Sequence, residues 1–128
     1  MWLLNNISIC AVNGNVVVNK EEWSESQMQS SEKVEKLVQL LRRLRGEVER
    51  RFRARIEGVF GSWVRGEETE ESDIDVLVEF LDGATLFEFV GLSQFLQGKL
   101  MGRDVDVVPR DALREELRER ILSEVVWL

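Results

Sequence analysis

The side chains of this 128-residue chain best placed to do chemistry are carboxylates. Histidine is absent and Cys10 is the only cysteine. That removes Ser-His and Cys-His pairs and any His- or Cys-rich metal site, leaving carboxylates, hydroxyls, Lys and Arg. Asp73 and Asp75 flank Ile74 in a β-branched stretch. On a strand, alternate side chains share a face, so the two carboxylates lie about 7 Å apart on one side while Ile74, Val76 and Val78 go to the other. Like charges held that close in a partly buried site raise each other's pKa unless a cation is present. Hard oxygen ligands favour magnesium or manganese. A second stretch, Asp104-Val105-Asp106-Val107-Val108, repeats the pattern. Either aspartate could face the pair. Asp106 is the better candidate, because it lies inside the apolar run while Asp104 opens it beside Arg103.

Gly61-Ser62 supplies the complementary feature. A strand turning through glycine into a helix start presents free backbone N–H groups and a hydroxyl, which suits phosphate oxygens. Arg65, one turn on, is placed to neutralise phosphate. Ser72, directly before the aspartate pair, completes the candidates for nucleotide contact. Each element also has a plainer reading: an isolated Asp-x-Asp as charges at a turn exit, Arg65 as a surface ion-pair former, Trp63 and Trp127 as packing residues, and Glu67, Glu68, Glu70 and Glu71 as a solvated loop. An EF-hand fails for want of its glycine and distal glutamate after Asp73, and the glycine-lysine loop of P-loop ATPases is missing.

The elements that must position these residues are readable in turn. Val34, Leu37, Val38, Leu41, Leu44, Val48 and Phe52 recur at helical steps from Ser31, which is placed to cap the helix. Ile56 to Phe60 reads as a buried strand ending at Gly61, Ser62 to Arg65 as a short helix closed by Gly66, and Asp73 to Phe80 as a strand followed by an Asp82-Gly83 turn. Leu86, Phe89, Val90, Phe95 and Leu96 mark a helix ending near Gly98 to Gly102. Asp104 to Val108 is a strand stopped by Pro109, and Asp111 is placed to cap a last helix with Leu113, Leu117, Ile121, Leu122 and Val125 on one face. Helices alternating with strands predict an α/β (α+β) domain, a small mixed sheet covered by helices, over residues 31–128. Residues 1–30 read as an N-terminal extension. Ile7 to Val12 and Val16 to Val18 flank Asn13-Gly14-Asn15 as a hairpin, expected to be loosely attached, and Lys20 to Ser31 follow as a linker. Met28 stands before the first strong helix as an alternative start.

Composition sets the outer bounds. With 44% hydrophobic and 32% charged residues this is a soluble globular chain, large enough to fold without disulfides. The net charge of -7 is uneven: residues 1–65 carry 11 basic and 8 acidic groups, residues 66–128 carry 6 and 16. So acidic a protein lacks a general nucleic-acid surface, and the seven arginines between Arg42 and Arg55 read as a solvated helix face with internal ion pairs. No stretch approaches a membrane span, the start lacks the basic leader of a secretory signal, and a lone cysteine fits a reducing cytoplasm.

Gly61-Ser62, ten intervening residues, then Asp73-x-Asp75, with an aspartate on a later strand, resembles the signature of the DNA polymerase β-like nucleotidyltransferase superfamily. More narrowly, Ser31 to Leu128 resembles the minimal nucleotidyltransferases that serve as antitoxins of HEPN-domain ribonuclease toxins. The resemblance implies that Asp73, Asp75 and Asp106 hold two magnesium ions, or manganese, and that Gly61 and Ser62 grip the phosphates of ATP. It further implies that AMP passes to a tyrosine hydroxyl of a partner HEPN toxin. The smallness of the domain points the same way, since no second domain is left to choose an acceptor. The alternatives are an antitoxin that neutralises its partner by binding alone and a transferase acting on a small molecule such as an aminoglycoside. Oligomeric state is left open.

Overall fold

The computed structural model describes residues 9–12, 15–18, 30–100 and 102–128. Strands β1 (Ile9–Val12) and β2 (Asn15–Val18) pair antiparallel, with Ile9 opposite Val18, and form a two-stranded sheet of their own. Ile7, Met28 and most of the expected linker lie outside the described residues. Helix α1 spans Ser30–Phe52, so Ser31, expected as its cap, falls inside its first turn. Arg53 follows in a left-handed conformation (φ 49°), and its carbonyl accepts the N–H of Leu81. Strand β3 (Ala54–Phe60), the single-turn helix α2 (Ser62–Arg65) and strand β4 (Ile74–Phe80) come next. They are followed by helix α3 (Leu86–Lys99), strand β5 (Val105–Pro109), a 3-10 turn (Arg110–Ala112), helix α4 (Glu115–Glu124) and strand β6 (Val126–Trp127).

The main sheet has the order β5-β4-β3-β6 and is mixed, with β4 and β5 parallel and the other neighbours antiparallel. Helix α3 makes the crossover between the parallel strands, as such a pair requires. One face buries Leu37, Leu41 and Val48 of α1 and Leu92 and Leu96 of α3 against Ile56, Ile74, Val76 and Val78. The other carries a smaller cluster of Phe60, Leu77 and Val125, joined by Leu113, Ile121 and Leu122. The mixed sheet with helical cover agrees with the expected fold class. Among the described residues no helix is long and apolar enough to cross a membrane.

Several boundaries differ from the expected ones, for physical reasons. Asp111 does not cap α4. It sits in the 3-10 turn, Leu113 is extended (ψ 129°), and α4 starts only at Glu115 with no side-chain cap. Pro109 ends β5 rather than standing beyond it, which an edge strand tolerates because its outer N–H needs no partner. Leu86 and Val90 of α3 are exposed, and Leu92 takes the inward place. The start of that helix is fixed by a capping box, in which the Thr85 hydroxyl accepts the Phe87 N–H and Glu88 reaches back to the Thr85 N–H. Strand β6 has no counterpart in the expected elements. It docks beside Gly58, where an added Cβ would stand 2.4 Å from the Val126 carbonyl oxygen.

Candidate functional site

The register of the parallel pair sets Asp75 directly opposite Asp106. Ile74, Val76 and Val78 on β4 and Val107 on β5 enter the larger core, so Asp75 and Asp106 turn together to the α4 face of the sheet. Strand spacing of about 4.8 Å sets the backbones of these two residues closer across the sheet than those of Asp73 and Asp75 are along the chain. Asp73 lies exposed one residue before β4, Asp106 is exposed, and Asp75 is half-buried. Burial first, and then the charges of Asp106 and Asp73, push the Asp75 carboxyl up to about 6, while Arg65 pulls it the other way. Asp104 takes no part in this group. Its carboxylate accepts from Gln97 Nε2 of α3 at 3.1 Å, and its carbonyl accepts the Ile74 N–H.

Among the described residues no three acidic side chains are already drawn into a closed cation site. The donors that share the α4 face are nonetheless all hard carboxylate oxygens. One of them is half-buried and costly to ionise unless a cation compensates, which suits magnesium or manganese.

Gly61 joins the aspartates to the turn before α2. It has φ +85°, a conformation that favours glycine, and an added Cβ would push against the carboxylate end of Asp75. Ser62 opens α2, with its carbonyl accepting the Glu67 N–H at 2.9 Å. Arg65 lies alongside but is engaged: Nε donates to Glu67 at 2.8 Å, and Nη1 donates to both oxygens of Glu124 at 3.0 and 3.3 Å. These carboxylate bonds raise its already high pKa. Ser72, expected to touch nucleotide, is turned into its own loop, where its hydroxyl accepts the Thr69 N–H at 2.8 Å. Glu67, Glu70 and Glu71 are exposed as expected. Glu68 is not: its side chain is only 5% exposed and pairs with Lys33 at 3.3 Å. Trp63 packs in the core, and Trp127 is half-exposed.

Two residues at this site went unread in the sequence. Glu124, at the end of α4, accepts the Gly61 backbone N–H at 3.0 Å as well as the Arg65 guanidinium. Arg103 clamps the loop entering β4, donating to the carbonyls of Thr69, Glu70 and Ser72 at 2.9–3.1 Å while its guanidinium lies over Trp63. Neither carries a local signal, since the Glu124 contact spans 63 residues and the Arg103 contacts 31 to 34.

Comparison with known proteins bears on the same region. Residues 41–128 match the family described as nucleotidyltransferase domain. The protein adenylyltransferase MntA of Thermococcus cleftensis is 38% identical over 95 residues, covering 74% of this chain and 95% of the relative. A Methanocaldococcus jannaschii protein, also named as a protein adenylyltransferase, is 43% identical over 68 residues, 53% of this chain and 72% of its own length. A solved structure described as a minimal nucleotidyltransferase superposes with a TM-score of 0.62 at 36% identity, covering 80% of this chain and 99% of the other. A toxin-antitoxin crystal structure with AMP-PNP superposes with a TM-score of 0.52 at 25% identity, covering 73% and 69%.

Proposed function

This chain belongs to the nucleotidyltransferase domain family, and from that premise we propose that it transfers AMP from ATP to a tyrosine hydroxyl of a partner toxin of the HEPN class. In this reading it acts in the cytoplasm as the antitoxin of the pair. The observation that carries the proposal is the direct opposition of Asp75 and Asp106, with Gly61 packed against Asp75. Support for a protein partner and an adenine nucleotide comes from the relatives named protein adenylyltransferase and from the toxin-antitoxin neighbour with AMP-PNP. Residues 31–128 form the catalytic unit, with residues 1–30 an extension outside it.

The division of labour follows from chemistry. Gly61 N–H and the Ser62 hydroxyl receive the phosphates of ATP, and Arg65 adds positive charge beside them. Asp73, Asp75 and Asp106 hold two divalent cations, magnesium or manganese. When bound, these cations offset the negative charge of the carboxylates and of the departing pyrophosphate. Asp106 is exposed and faces Asp75 across the sheet, so it orients the acceptor hydroxyl and takes up its proton. The acceptor oxygen forms its bond to the α-phosphorus, and the bond to the bridging oxygen breaks with loss of pyrophosphate. Carboxylates carry the acid–base work in this reading, in a chain that has no histidine.

Intact-mass spectrometry of the partner after incubation with this protein, ATP and magnesium tests the reading. The expected result is a gain of one AMP mapped to tyrosine. A partner silenced without mass change, and equally by the Asp75→Ala variant, would reduce the protein to a binding antitoxin.

A further inference from the structure

Glu124 stands where a phosphate oxygen is expected. It caps the Gly61 N–H at 3.0 Å, forks onto Arg65 Nη1 at 3.0 and 3.3 Å, and is only 19% exposed. Both of its partners belong to the group assigned to triphosphate. A carboxylate on such donors offers the same hydrogen-bond chemistry as a phosphate oxygen. It also adds a further negative charge close to the aspartates, since it helps disfavour ionisation of Asp75. The single Gly61 N–H cannot serve both anions, and a phosphate on Arg65 Nη1 competes with the Glu124 fork there.

We propose that Glu124 is an affinity-setting residue of the nucleotide site. Its carboxylate holds the Gly61–Arg65 cradle and must be displaced by the incoming phosphates. The inference rests on the nucleotidyl-transfer reading of Gly61 and Arg65. Its consequence is a built-in tax on binding: each triphosphate gains the cradle only by breaking the Glu124 contacts, so apparent affinity is lower than the cradle alone would give. Glu124 sits at the junction of α4 and β6, and β6 pairs with β3 next to Gly58, so the return of the chain after α4 sets the position of this carboxylate.

Titration calorimetry with ATP and magnesium on the wild type, Glu124→Gln and Glu124→Ala tests this, with adenosine titrated in parallel. Glutamine keeps an oxygen for the Gly61 N–H but removes the charge that holds Arg65. Alanine removes both. The expected result is ATP binding about tenfold tighter in Glu124→Ala, the order set by a charge-assisted hydrogen bond on a partly exposed pair, with Glu124→Gln in between. Adenosine, which has no phosphates, should bind all three proteins alike. A purely structural role for Glu124 would instead weaken ATP and adenosine together. Should alanine unfold the chain, the glutamine variant carries the test alone. ATP binding that is unchanged or weaker in a folded variant overturns the inference while leaving nucleotidyl transfer intact. Failure of the wild type and both variants to bind ATP at all would instead overturn the reading beneath it.

Discussion

Replacing Asp75 with asparagine should stabilise the metal-free protein while destroying its activity, and the gain should depend on pH in a defined direction. Asp75 ionises near pH 6 in the fold, against 3.8 for the free side chain. The unfolded chain therefore loses this proton more readily than the native state does. Below pH 3.8 both states hold the proton and the group costs nothing. As pH rises toward 6 the native state progressively loses stability relative to the unfolded one, and above 6 the full cost is in place. A difference of about two pH units sets a ceiling of about 3 kcal/mol. Because Asp75 is only half-buried, water screens part of it, and about 1–2 kcal/mol is the expected cost. Asparagine is of the same size and never ionises. Urea unfolding in chelator should show Asp75→Asn more stable than wild type by that amount at pH 8, and equal to it near pH 3.5, with unchanged denaturant dependence. A variant less stable than wild type at pH 8, or a difference that ignores pH, would refute the view that burial and the neighbouring aspartates strain this carboxylate.

The remaining expectations concern single contacts. Gly61→Ala forces an unfavourable φ and drives a methyl into Asp75, so calorimetry should show about 1–3 kcal/mol of lost stability together with lost ATP binding. Asp106→Asn, at an exposed position, should leave thermal unfolding nearly unchanged while single-turnover transfer falls at least about a hundredfold, the scale for losing a group that handles the proton. Thr85→Ala removes the α3 cap, far from the site, and should cost about 1 kcal/mol in urea unfolding with transfer unaffected.

How much of this was legible in the sequence depended on how locally each feature is determined. Helix α1 announces itself because its buried residues recur every three or four positions, and β4 does so because it is rich in β-branched residues, with Ile74, Val76 and Val78 on one face and Asp75 and the buried Leu77 on the other. Preferring Asp106 to Asp104 needed only the apolar residues on either side of it, and the parallel register places it opposite Asp75. The Thr85–Glu88 cap was present in the residue types and went unread. Strand β6 could not be read: two residues make no periodicity, and the strand exists because Gly58 leaves room for it. Apolar residues at the start of α3 misled for the opposite reason, since Leu86 and Val90 have helical spacing but are not covered by any of the described elements. At the site, the aspartates and Gly61 carry their own signature, whereas Glu124 reaches Gly61 only through the return of the chain after α4. Ser72 and Arg65 were legible as residue types but not as contacts, because each is claimed by a neighbour in the folded loop.

The central claim is that three aspartates on one sheet face drive transfer of a nucleotidyl group to a protein. The most direct test incubates the protein, magnesium and its partner with ATP labelled on either the α- or the γ-phosphorus, using wild type and Asp75→Ala. Label from the α-position alone should reach the partner with wild type, with nothing transferred by the variant. Transfer of the γ-label, or α-label delivered equally by Asp75→Ala, would contradict the account.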